Sequence, residues 1–168
     1  MRVIRKKTYE EASMACAELI ASQIRLKPDC KIGLATGSTP IGTYKDLVDM
    51  YKAGSLDFSK VTSANLDEYR GLGGDHDQSY RYFMNTNLFD HVNIDKNKTY
   101  VPNGLEADAE KACKEYDAIL ESLGDISTSD AVSDADIAGL EKINLQNLLI
   151  FTPPLYFYKF FQSSSPST

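Results

Sequence analysis

The segment Thr36-Gly37-Ser38-Thr39-Pro40 places three hydroxyl side chains, a glycine and a proline between an apolar stretch and an amphipathic one. Gly37 permits tight backbone geometry, and Ser38 and Thr39 offer hydroxyl donors. The first N–H groups of a helix have no intrahelical partner, and the helix dipole favours an anion in front of them. Residues of these types at such a place can cradle a phosphate. Capping a helix uses the same residues, so a plain turn with Thr39 as N-cap and Pro40 at the first helical position fits equally. The spacing matches neither a Walker loop nor a dinucleotide fingerprint. A second cluster, Asn65-Leu66-Asp67-Glu68-Tyr69-Arg70-Gly71-Leu72, sets two carboxylates side by side. Neighbours on an extended chain face opposite sides, so only one of Asp67 and Glu68 can face a crevice above a sheet. A carboxylate there is a general base of tunable pKa. A solvated acidic loop or a helix cap is the alternative for the same residues.

Other chemistries find less support. His76 and His91 are the only histidines, and neither has a Cys or a second His at ligand spacing, which argues against a metal site. His76 lies in a Gly/Asp-rich loop and reads as exposed, and His91 reads as a helix-end residue. Cys16, Cys30 and Cys113 fit no disulfide framework and read as reduced, buried thiols. No G-x-S-x-G elbow is present. The net charge of −6 argues against nucleic-acid and acidic-membrane partners, but a local backbone site can still bind a small anion. The N-terminal charges lead into no long apolar run, so neither a signal peptide nor a membrane span is expected, and the cytoplasm is the expected location.

The elements that would position the two clusters follow from periodicity. Val3-Ile4 reads as a short edge strand. Thr8 and Glu11 have capping-box spacing, and Ala12, Cys16, Leu19, Ile20 and Ile24 recur as a helical stripe that ends at Pro28-Asp29. A strand is predicted over residues 31–36, a helix from Pro40 to about Lys52, and a strand over 61–66. A loop with Gly71, Gly73 and Gly74 covers 67–77. A helix is predicted over 79–88, with its Tyr/Phe stripe in the core and Ser79 and Tyr80 able to rim a pocket. A strand over 98–101, a turn at Pro102-Asn103-Gly104 and a helix over 107–123 stopped by Gly124 complete the series. Strands alternating with helices imply a parallel sheet with helices on its faces, and such sheets bind ligands beyond the carboxyl ends of their strands. Both clusters fall at such ends.

From Met1 to about Gly124 the chain resembles glucosamine-6-phosphate deaminase. The resemblance is carried by GLATGSTPIGTYKDLVDMYKAGSLDFSKV, NLDEYRGL, SYRYFMNTNLFDHVNI and EADAEKACKEYDAIL, in matching order and spacing. It implies a three-layer Rossmann-like α/β fold with a mostly parallel sheet. It also implies conversion of glucosamine 6-phosphate and water to fructose 6-phosphate and ammonia, with no metal or organic cofactor. Thr36, Gly37, Ser38 and Thr39 match the family's substrate-phosphate loop, and Asp67 matches the carboxylate that moves a proton between C2 and C1. Glu68 and Tyr69 would support the loop. A sugar-phosphate isomerase or lactonase shares the phosphate loop and is the neighbouring alternative, and oligomers occur in the intact family.

Residues 125–168 depart from that pattern. The family continues into a second Gly-rich loop bearing an Asp, a ring-opening His and a Glu, whereas this chain reads DISTSDAVSDADIAGLEKINLQ and has no His after His91. Phe151 to Phe161 holds six aromatic residues in eleven, an aggregation liability if exposed. The sheet is therefore expected to be incomplete at its C-terminal side. The tail is expected to be out of frame, disordered or a genuine truncation, and the chain as it stands to be inactive.

Overall fold

The computed structural model describes residues 4–124. Three parallel strands lie in the order β1 (Lys31–Leu34), β2 (Thr62–Asn65) and β3 (Thr99–Tyr100). Helix α1 (Tyr9–Leu26) precedes β1, α2 (Ile41–Lys52) joins β1 to β2, α3 (Tyr80–Asn87) lies between β2 and β3, and α4 (Ala109–Leu123) follows β3. The chain steps across the sheet in one direction, so right-handed crossovers put α2 and α3 on one face. Tyr44 of α2 and Phe83 of α3 meet there edge to face, with ring centroids 6.5 Å apart. Ser63 and Asn65 point to one side of β2 and Ala64 to the other, and all three are buried, so both faces of β2 are covered.

The core lies between the sheet and α1 to α3. Tyr44, Leu47, Phe58, Val61, Met84, Leu88 and Phe89 are buried in it, each contributing about 1.5–3 kcal/mol of transfer free energy. The predicted stripe of α1 is rotated in the structure. Ser13, Ala17, Ala21, Gln23 and Ile24 are buried, Ala12 is exposed, and Cys16, Leu19 and Ile20 are half-buried. The cause is close packing on α2: a Cβ added at Gly42 would lie 2.4 Å from the Ser13 hydroxyl oxygen. Two helices this close must meet through their smallest side chains, and the larger ones lie to the flanks. Thr8 caps α1 as expected, accepting from the Glu11 N–H at 3.2 Å, while Glu11 accepts from the Lys7 N–H at 3.0 Å.

The strands are shorter than the apolar runs, because pairing stops at the register pair Leu34–Asn65. Helix α4 starts at Ala109 under an Asp108 cap, two residues later than predicted, and stops at Gly124 with φ +67°. Its Tyr116 is buried and donates to the Asn65 carbonyl at 2.6 Å and, at 3.2 Å, to that of Tyr100. The Lys31 ammonium meets the Leu123 carbonyl. Helix α4 therefore runs from the carboxyl edge of the sheet back to its amino edge. Ile4 is exposed and lies outside any strand, and Val3 and residues 125–168, with the aromatic run, fall outside the described residues. Among the described residues no helix is long and apolar enough to cross a membrane.

Candidate functional site

Strands β1 and β2 bring the two clusters together. Leu34 pairs with Asn65, and Thr36 and Asp67 each stand two residues beyond that pair. Parallel strands end on the same edge, so both side chains rise from adjacent strand ends. Asn65 fastens that edge. Its side-chain amide donates to the Leu34 carbonyl at 2.8 Å, and its own carbonyl accepts from Tyr116. Its Oδ1 is buried and has no partner among the described residues.

The 36–39 loop is open. Gly37 sits at φ +90°, and Gly37, Ser38 and Thr39 are exposed. Among the described residues nothing accepts from their N–H groups, and the Ser38 and Thr39 hydroxyls have no partner. Here the expected capping fails. Helix α2 begins at Ile41, Pro40 holds the cap position in a helical conformation, and Thr39 makes no cap bond. The cap comes from α1: the Tyr9 hydroxyl accepts from the Gly42 N–H at 2.8 Å and donates towards the carbonyls of Thr39 at 3.0 Å and Ser38 at 3.3 Å. With capping supplied elsewhere, the Ser38 and Thr39 hydroxyls remain available. No sequence signal links Tyr9 to Thr39 across thirty residues.

Asp67 and Glu68 divide as neighbours on an extended segment must. Asp67 is exposed, and no donor among the described residues bonds to it. The surrounding protein removes water from its carboxylate and the Glu68 charge repels its ionised form, so its pKa is raised. Glu68 is buried. Its carboxylate accepts from the Tyr69 N–H at 2.9 Å, the Ser79 hydroxyl at 2.8 Å, the Tyr80 N–H at 2.8 Å and the Arg81 N–H at 3.0 Å. Glu68 thus serves the start of α3, where the dipole favours an anion. Ser79 is enclosed beneath it as the N-cap of α3 and accepts from the Tyr82 N–H at 3.3 Å, so it does not rim a pocket. Arg81 continues the anchoring with two bonds of 2.7 Å to Thr99.

Tyr80 does stand at the rim. Its ring lies 4.8 Å from that of Tyr69, and the two hydroxyls are 3.3 Å apart. Its phenol pKa is raised, first by burial, then by the Tyr69 hydroxyl and the Asp67 charge, while a hydrogen bond with the Thr36 side chain opposes the shift. Tyr80 therefore touches both clusters. Gly104 closes the far side of the acidic loop: a Cβ there would lie 2.3 Å from the Tyr69 carbonyl oxygen, and its own carbonyl accepts from the Gly71 N–H at 2.7 Å. The histidines lie elsewhere. His76 is exposed and accepts from the Gln78 N–H, and His91 bonds the Thr86 carbonyl beyond the C-terminal end of α3.

The family profile described as glucosamine-6-phosphate isomerases/6-phosphogluconolactonase matches residues 5–140. The chain belongs to this family. Within it, the chain is 61% identical over 126 residues to a glucosamine-6-phosphate deaminase of Clostridium perfringens (strain SM101 / Type A), covering 75% of this chain and 52% of the relative. It is 56% identical over the same length to the glucosamine-6-phosphate deaminase of Clostridium tetani, again covering 75% and 52%. A solved structure of a monomeric glucosamine-6-phosphate deaminase superposes with a TM-score of 0.72 at 42% identity, covering 74% of this chain and 52% of that one. A 6-phosphogluconolactonase from Thermotoga maritima shares the fold, with a TM-score of 0.59 at 20% identity over 73% of this chain and 54% of its own. The chain spans about half the length of the curated relatives it matches.

Proposed function

We propose that the chain carries the phosphate loop and the proton-moving carboxylate of a glucosamine-6-phosphate deaminase. The observation that carries the reading is the register: Thr36 and Asp67 stand at equivalent places beyond one paired position of adjacent parallel strands. The unpartnered N–H groups of Gly37, Ser38 and Thr39 face a phosphate ester, and the Thr39 and Ser38 hydroxyls add donors. Asp67 takes the proton from C2 of the open-chain aminosugar and returns it to C1. The electrons pass through an enolamine between the two carbons and leave a ketose imine, which water hydrolyses to fructose 6-phosphate and ammonia. A raised pKa suits a carboxylate that must both accept and release that proton. Sequence identity above half to named deaminases favours this reading over a lactonase, whose likeness rests on the fold.

The test joins residues 1–124 to the remaining half of the Clostridium perfringens relative and follows ammonia release together with hydrogen exchange at C1 in D2O. Asp67→Asn should lower the exchange rate by about 10²–10⁴-fold while the fold persists. Gly37→Val and Thr39→Ala should weaken binding of glucosamine 6-phosphate and leave that of glucosamine unchanged. Retained exchange in Asp67→Asn would remove Asp67 from the mechanism. Equal losses for both sugars would reduce the loop to a folding element, and hydrolysis of a phosphogluconolactone without ammonia release would favour the lactonase.

A further inference from the structure

We propose that Tyr9 is the positioning residue of the phosphate loop, an inference that rests on the loop reading above. The loop would otherwise be poorly held. Gly37 is exposed in a left-handed conformation, Pro40 has no N–H, and the Ser38 and Thr39 hydroxyls bond to nothing among the described residues. The single hydroxyl of Tyr9 grips both ends of the turn into α2. It accepts from the Gly42 N–H at 2.8 Å and donates to the Thr39 carbonyl at 3.0 Å, with the Ser38 carbonyl at 3.3 Å. One proton and one lone pair account for both bonds, the donated one shared between two carbonyls.

This arrangement has two effects on the loop. The carbonyl of Ser38 is turned towards α1, so the Thr39 N–H in the same peptide plane is directed away from it, while the Thr39 carbonyl, whose peptide ends at the N–H-less Pro40, anchors the turn. The Gly42 N–H, one of the free donors of the first helical turn, is withdrawn from any ligand. The helix start thus has one donor fewer for a phosphate, and the Thr39 amide is the one that Tyr9 aims outward. Gly42 also admits the tyrosine, since a Cβ there would come 2.9 Å from the ring carbon Cε1 of Tyr9. Tyr9 is itself exposed and contributes little to the core, so its hydroxyl can be removed with the ring left in place.

The experiment uses the 168-residue chain and its Tyr9→Phe variant. Backbone amide shifts at residues 37–42 are followed during titration with inorganic phosphate, glucosamine 6-phosphate and glucosamine, and amide exchange is recorded across α1 and α2. Loss of the positioning hydroxyl, with the bond it accepts and the one it donates, should weaken both phosphate-bearing ligands by about fivefold or more. Exchange at Gly42 should accelerate while the buried face of α1 at Ala17 and Ala21 is unaffected. Equal phosphate affinity in the two proteins would overturn the role of Tyr9 and leave the loop reading intact. Weaker binding with accelerated exchange throughout α1 and α2 would make Tyr9 a stability residue only and overturn the inference. Phosphate-independent shifts in the unsubstituted chain would overturn the loop reading and the inference with it.

Discussion

Glu68 accepts four hydrogen bonds, whereas the carboxylate of its neighbour Asp67 is bonded to none of the described residues. Two consequences can be measured on the chain itself. The folded chain raises the Asp67 pKa, so between the unfolded value and the folded one the native state holds the extra proton. Stability therefore falls as pH rises through that window. Asp67→Asn should make the chain more resistant to urea at pH 7, and the gap should close below about pH 4, where an unperturbed Asp is also protonated. A variant less stable than the parent at neutral pH would contradict the assignment of cause. Glu68→Gln removes acceptors for buried donors and should cost about 2–3 kcal/mol. It should also lower the Asp67 pKa, since the Glu68 charge is part of what raises it; carbon NMR of the carboxyls reads that shift directly. At this scale the position of the hydroxyls, the glycine and the paired acids at adjacent strand ends was legible in the sequence, because those residue types are local signals. It did not reveal the partners. Tyr9 on Thr39 and Glu68 on Ser79 are contacts between distant or oppositely facing residues, fixed by packing.

Helices α1 and α2 illustrate how an element-level reading can find the element and misplace its face. Periodicity located α1, but the residues it buries are Ser13, Ala17 and Ala21 ahead of Gln23 and Ile24, because Gly42 lets the two axes approach. Small side chains carry almost no hydrophobic signal, so the larger Leu19 and Ile20 drew the stripe towards themselves. The contact can be tested by Gly42→Ala. Helix propensity alone favours Ala over Gly by about 1 kcal/mol. Overpacking a tight contact costs about 1–3 kcal/mol, and a Cβ 2.4 Å from the Ser13 oxygen puts this site at the upper end. We expect net destabilisation in thermal melts, partly relieved by adding Ser13→Gly. A stabilised single variant would mean that the helices can separate freely. Strand direction was legible from the alternation of elements, whereas strand ends were not, since pairing stops at Leu34 and Asn65 inside longer apolar runs.

As a whole, residues 4–124 present one edge of a parallel sheet with the 36–39 loop, the Asp67 carboxylate and the Tyr69–Tyr80 pair. The 168-residue sequence contains no histidine after His91, and neither His76 nor His91 joins that edge. Proximity catalysis needs base, ring-opening group and phosphate clamp on one bound sugar. We therefore expect phosphate-dependent binding without ammonia release from the chain alone, and release in the fusion to the second half of the Clostridium perfringens relative. Ammonia from the unfused chain would show that residues 125–168 supply what is lacking. Cys30, buried and with its thiol pushed up to about 11 by burial, should resist labelling at neutral pH until the chain unfolds, which gives a check that the fused and unfused proteins share a folded core. The parallel register of the described strands also gives their sheet a front, the carboxyl edge where the proposed site lies, and a back. Each described strand starts at the back, where Asp29 and Lys60, just before β1 and β2, are exposed. A fluorophore or surface tether fixed at either place would stand a full strand length from the ligand, so the protein can be immobilised by its back while its front is left free to titrate.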